Sequence, residues 1–242
     1  MTSGGIGYVE LGGRRIAYRE RAGAAPTLVF LPGFASDMEG AKAVAIDAFA
    51  DARGLGCLRF DYSGTGSSGG DFADGTLALW IEEALAVIDT HSDGPVILVG
   101  SSMGGWIAIH LALRRPERVA ALVGIAAASD FTEWGFDADQ KEAIRRDGAI
   151  GPDEHRIHRA FWESGQALRL LEDAIAIECP VRLVHGEDDR DVPLDTAFRL
   201  MRALRSADVQ LSVIKGGGHR LSEPREIAAI LSTIAGLLEP SI

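Results

Sequence analysis

Short apolar runs rich in β-branched residues alternate along this chain with longer stretches whose apolar positions recur every three or four residues. The runs at 27–33, 57–62, 96–101, 119–127, 181–186 and 209–217 carry almost no polar interruption. That pattern predicts strands covered on both faces and therefore paired in parallel. Ahead of them, "IGYVEL" and "RRIAYRE" alternate with period two around Gly12 and Gly13, which predicts an antiparallel hairpin. Amphipathic segments at 40–53, 76–91, 103–114, 195–205 and 225–238 predict helices, with Leu77, Ile81, Leu85 and Ile88 on one face of the second. The sum is an α/β fold, a mostly parallel doubly wound sheet of about eight strands with an N-terminal hairpin.

One stretch breaks the rhythm. Residues 131–178 hold no convincing strand and are rich in charge and aromatics ("FTEWGFDADQKEAIRRDG", "HRIHRAFWESG"). Because the stretch lies between two sheet strands, it is expected to form a small helical cap over the carboxyl edge. The whole of 1–242 then reads as one domain with a cap insertion at about 131–178. No repeat or low-complexity segment is evident.

Composition narrows the function classes. At 47% hydrophobic and 24% charged residues over 242 positions, the chain has enough apolar material for a full core. A formal charge of −11 repels phosphate backbones and anionic lipid, so no nucleic-acid partner is expected. Cys57 and Cys179 lie at the edges of apolar runs without a CxxC spacing, and are expected to be reduced, buried thiols. No window reaches the length of a membrane span, and no targeting segment is read at the N-terminus, so the expected compartment is the cytoplasm.

The candidate chemistry starts at "VGSSMGGW". Gly-x-Ser-x-Gly fits a single register, Gly100 to Gly104, which makes Ser102 the central serine and Ser101 a turn residue. A sharp strand-to-helix turn lifts such a hydroxyl out of regular structure and aims the free N–H groups of the following helix at it. Two partners follow in order. The loop "HGEDDRDVP" offers Glu187, Asp188, Asp189 and Asp191 after a buried strand, and "KGGGHRLSEP" offers His219 after the last one. One of those acids can orient a general-base imidazole, and the order serine, acid, histidine differs from both serine-protease orders.

With these residues in view, the chain resembles the α/β-hydrolases. More narrowly it resembles the mitochondrial palmitoyl-protein thioesterase group, also called mycophenolic acid acyl-glucuronide esterases. The similar stretches are "LPGFASDMEGAKAVAIDAF", "CLRFDYSGTGSSGGDF", "GPVILVGSSMGGW", "RPERVAALVGIAAA", "CPVRLVHGEDDRDVP" and "GGGHR". The resemblance implies a catalytic set of Ser102, Asp189 and His219, with the amides of Phe34 and Met103 as oxyanion donors. It implies a serine hydrolase that cleaves esters or acyl thioesters through an acyl-enzyme, acting on a small acyl ester or an S-acylated protein. No cofactor or metal is implied. Pro-Gly-Phe stands where many relatives have His-Gly-x, and the cap resembles the group least.

Other constellations are weaker. "GTGSSG" at 64–69 follows a strand but opens no helix, so a dinucleotide site is not expected; with Asp61 it is expected to support the active-site floor. His155 and His158 lack a third ligand at a zinc spacing. The cap aromatics Trp134, Phe136, Phe161 and Trp162 are expected to wall an acyl pocket. The alternatives to an esterase are an amidase or peptidase on the same residues, or a ligand-binding member of the fold without turnover.

Overall fold

The computed structural model describes residues 5–239. Strands β1 (Gly7–Leu11) and β2 (Arg14–Arg21) form the antiparallel hairpin, with Gly12 at φ 56° and Gly13 at φ 79°. A two-residue turn that matches strand twist needs positive φ at both positions, which glycine adopts without steric cost. There follow β3 (Ala24–Leu31), α1 (Ala41–Arg53), β4 (Leu55–Phe60), α2 (Leu77–His91), β5 (Val96–Ser101), α3 (Met103–Arg114) and β6 (Val119–Ile125).

The cap comes next: α4 (Phe131–Trp134), α5 (Ala138–Asp147), β7 (Ala149–Ile150), β8 (Ile157–His158) and α6 (Arg159–Ala167). The chain then re-enters the sheet at β9 (Val181–Gly186), followed by α7 (Leu194–Ala203), β10 (Val209–Ile214) and α8 (Pro224–Leu238).

The eight-stranded sheet has the order β1-β2-β4-β3-β5-β6-β9-β10, antiparallel up to β4 and parallel from there on. Chain order reverses between β3 and β5. In an open α/β sheet the crevice beyond the carboxyl ends at such a reversal is where ligands bind. One apolar core packs α2, α3 and the cap against the sheet around Trp80 and Trp106; the other packs α1 and α8 on the opposite face.

Two details depart from the sequence reading. β10 is not buried on both faces: it is the sheet's edge, its residues alternate in exposure, and Val213 is 44% exposed. An outermost strand has no neighbour to close its far side, and its apolar composition does not reveal that. The cap also holds a short antiparallel ladder between β7 and β8, which is too brief to leave a periodic signal.

Side chains latch the cap where it leaves and rejoins the sheet. Asp130, at φ 59°, accepts the amides of Leu170 at 2.9 Å and Leu171 at 2.8 Å, so one carboxylate holds both ends of the insertion. His110 of α3 lies 3.0 Å through Nε2 from the Leu168 carbonyl, which only accepts, so that nitrogen carries the hydrogen. Burial pushes the Asp130 carboxyl up against the pull of those two amides, and pushes the His110 imidazole down to about 4.

Candidate active site

Ser102 lies between β5 and α3 at φ 54°, ψ −119°, a conformation that costs a non-glycine residue on the order of 1–3 kcal/mol. The surrounding backbone enforces it. Its amide donates to the Ile125 carbonyl at 2.9 Å, and its carbonyl accepts from the Ala128 amide at 3.0 Å. The flanking glycines are required by close approach: a Cβ on Gly100 would lie 2.2 Å from the Gly104 carbonyl oxygen, and one on Gly104 would lie 2.0 Å from that of Leu31.

His219 Nε2 lies 3.0 Å from Ser102 Oγ, and its Nδ1 lies 2.9 Å from Asp189 Oδ2. A carboxylate only accepts, so Nδ1 carries the ring hydrogen and Nε2 faces the serine with its lone pair. Asp189 is the one among the four loop acids bonded to the histidine; Glu187 instead accepts the Gly216 amide at 3.1 Å. The Asp189 side chain is fully buried, and its Oδ1 accepts the amides of Asp191 at 2.9 Å and Val192 at 2.8 Å. Burial works to raise its carboxyl, but the hydrogen bond from His219 and the amide bonds outweigh it and leave it below the usual 3.8.

Two loops must nearly touch for this contact to form. A Cβ on Gly186 would meet the Gly217 carbonyl oxygen at 2.3 Å, and that carbonyl accepts the Asp188 amide at 2.9 Å. From the other side, the Lys42 ammonium donates to the Arg220 carbonyl and ties the histidine loop to α1. Lys42 was invisible in the sequence, where one lysine in the first turn of a helix reads as a solvated charge.

The two amides that the resemblance implies as oxyanion donors belong to segments beside Ser102: Phe34 lines one cavity with it, and Met103 is the next residue. Met103 opens α3, where a first-turn N–H has no intrahelical acceptor, and Gly33 packs so close that an added Cβ would lie 3.3 Å from Ser102 Cβ. Neither the Phe34 nor the Met103 amide donates to a backbone acceptor among the described residues. Asp61 fixes the Phe34 segment from below: its Oδ1 accepts the Met38 amide and its Oδ2 the Ser67 amide, each at 2.7 Å. The "GTGSSG" loop therefore wraps a carboxylate.

A cavity of about 490 Å³ opens over Ser102 and His219, with Phe34, Lys42, His155 and Arg220 in its wall. The four cap aromatics do not line it. Phe161 and Trp162 are buried, because their faces complete the apolar core: Phe161 packs 4.9 Å from the Phe34 ring, and Trp162 Nε1 donates to the Thr132 carbonyl at 2.9 Å. Trp134 donates to the Ser129 carbonyl at 2.8 Å, and Phe136 lines a second depression on the cap. His155 borders both hollows.

Asp189, Asp191 and His219 also bring possible ligand atoms within 4.8 Å of one another. Both His219 nitrogens are already engaged, by Asp189 and Ser102, so the grouping reads as a hydrogen-bonded chain.

The fold and this site define an α/β hydrolase: a family profile described as the alpha/beta hydrolase fold matches residues 26–148, and the chain belongs to that family. It is a hydrolase enzyme. Among its relatives is the mitochondrial palmitoyl-protein thioesterase ABHD10 of Homo sapiens, 37% identical over 234 residues, 93% of this chain and 76% of that protein. The solved structure of alpha/beta hydrolase domain-containing protein 10 from mouse superposes with a TM-score of 0.92 at 34% identity, covering 97% of this chain and 98% of the other. A putative hydrolase from Agrobacterium vitis S4 gives 0.90 at 38% identity, covering 98% and 99%.

The mitochondrial names of the ABHD10 relatives overturn the cytoplasmic expectation. Charge and apolar content describe a domain that lives in water, and water fills every compartment. Among the described residues no helix is long and apolar enough to cross a membrane.

Proposed function

We propose that this enzyme cleaves carboxylic esters and acyl thioesters through an acyl-enzyme on Ser102. The observation that carries the reading is the unbroken hydrogen-bonded chain from Ser102 Oγ through His219 to the buried Asp189 carboxylate, at 3.0 and 2.9 Å. His219 takes the hydroxyl proton at Nε2 as Oγ attacks the acyl carbonyl, and Asp189 steadies the imidazolium that forms. The Phe34 and Met103 amides receive the oxyanion. Losing one such donor costs about 3 kcal/mol of transition-state stabilisation. His219 then gives its proton to the departing thiolate or alkoxide, and water repeats the sequence in reverse.

The name of the ABHD10 relatives supports a fatty acyl thioester on a protein as the substrate class. A fluorophosphonate probe tests the mechanism. The expected result is one label per chain, on Ser102, with loss of both labelling and S-acyl hydrolysis in Ser102→Ala. An unlabelled wild-type protein that still turns over thioesters would sink the serine mechanism, and an unlabelled inactive one would favour a binding role.

A further inference from the structure

We infer that His185 is a positioning residue for the Asp189 carboxylate, an assignment that rests on the acyl-enzyme reading above. His185 is the next-to-last residue of β9, is 1% exposed, and interrupts an otherwise apolar buried run, Val181, Leu183 and Val184. An imidazole placed there without partners would be costly, since a buried polar group left unpaired costs about 1–3 kcal/mol. It has a partner, and that partner belongs to the acid loop. Nε2 lies 3.0 Å from the Val192 carbonyl oxygen and 3.5 Å from Asp189 Oδ2. A carbonyl only accepts, so Nε2 carries the hydrogen and gives it to Val192, while the ring edge stands beside the same carboxylate oxygen that receives His219.

The loop is thereby closed on itself. The Val192 amide donates to Asp189 Oδ1 while the Val192 carbonyl accepts from His185, so one residue is gripped through both of its flanking peptide groups. The backbone of the loop is already fixed at its near end, where Glu187 donates to Ile214 and Asp188 to Gly217, each at 2.9 Å. His185 supplies what those bonds cannot, a fixed far end, and through it a fixed Val192 amide to hold the carboxylate. Rotation of the carboxylate plane moves Oδ2 off the His219 Nδ1 hydrogen and releases the imidazole from the angle at which it meets Ser102. Misplacing a catalytic group by about 1 Å can cost on the order of 100-fold in rate.

The test compares His185→Leu, His185→Gln and His185→Asn with the wild type and Ser102→Ala, measuring kcat and KM on an S-acyl thioester together with thermal unfolding. Glutamine places a donor near the Nε2 position and asparagine does not reach it. The expected result is a loss of about 10- to 100-fold in kcat for His185→Leu and His185→Asn, with KM within about twofold and recovery in His185→Gln. Wild-type kcat in folded His185→Leu would overturn the assignment. So would a glutamine variant as slow as asparagine with both folded, a contrast that holds even if the leucine variant does not fold. Turnover surviving in Ser102→Ala would remove the acyl-enzyme reading itself, and is read independently of the His185 series.

Discussion

The sheet edge that carries Ser102 and the cap that contributes His155 to its cavity are held by different kinds of contact. Around the serine and the start of the acid loop, main chain meets main chain: Ser102 is pinned by its amide to Ile125 at the end of β6 and by its carbonyl to Ala128 beyond it, and Asp188 is pinned to Gly217. Helix α3 behind the serine is buried without a break from Met103 to Ala112. In the cap, side chains hold main chain: Asp130 grips Leu170 and Leu171, His110 grips Leu168, and Trp162 grips Thr132. Helix α5 buries only Ile144. A side chain placed by backbone ladders cannot drift without breaking the sheet, whereas a cap held by a few side chains can be loosened one substitution at a time.

The largest expected effects fall on the edge. Ser102→Ala should lower kcat by at least about 10⁴-fold, the scale on which catalytic triads fail when one member is removed. Its thermal unfolding should match the wild type, because alanine keeps the same backbone and the same strain. Ser102→Gly should be just as inactive yet more stable by about 1 kcal/mol, since glycine adopts positive φ freely. A glycine variant less stable than the alanine one would show that the strain at Ser102 has been misjudged. Next in size is Gly104→Ala, whose Cβ would lie 2.0 Å from the Leu31 carbonyl oxygen. With backbone as the obstacle, the expected cost is about 3 kcal/mol or more, read by chemical denaturation.

The same contrast explains what the sequence discloses. Strands buried on both faces leave unbroken apolar runs, and the elbow glycines sit at fixed spacing from Ser102, so β5, α3 and the serine are legible residue by residue. Among the four acids of the "HGEDDRDVP" loop, side-chain chemistry is the same and only the path of the backbone decides, so geometry and not composition brings Asp189 to His219. The cap hides its design. An aromatic that plugs a core and one that walls a pocket look identical along a chain, and Phe161 and Trp162 turn inward because the core needs covering there. His185 did leave a trace, a polar residue directly after the apolar pair Leu183 and Val184 in "VRLVHG", which signals a buried hydrogen bond without saying to what.

Loosening the cap is the sharper trial of the comparison. Asp130→Ala removes the acceptor for two amides, and an unpaired buried N–H costs about 1–3 kcal/mol. The expected result is a loss of about 2 kcal/mol in stability and earlier proteolytic cleavage within 131–178, with kcat retained within a few-fold. A kcat as low as that of Ser102→Ala would mean that the cap and the edge are one mechanical unit, and the distinction drawn between them would not stand.

The smallest effect is a pH dependence located at the other latch. In the folded protein burial holds the His110 imidazole down to about 4, against an ordinary 6.5 in the unfolded chain. Between those values the unfolded state binds more protons, so the stability contributed by neutral His110 is complete above 6.5 and is lost as pH falls towards 4. The slope is about 1.4 kcal/mol per pH unit at its steepest. Asp189, held below 3.8, loses its contribution only at lower pH, while Asp61 and Asp130, held above it, contribute with the opposite sign. His110→Gln separates these, because glutamine keeps a donor for the Leu168 carbonyl but does not titrate. Urea midpoints measured from pH 6.5 down to 5.5 should therefore fall in the wild type and fall less in His110→Gln. Equal slopes in the two proteins would place the acid sensitivity elsewhere than in the latch between α3 and the cap.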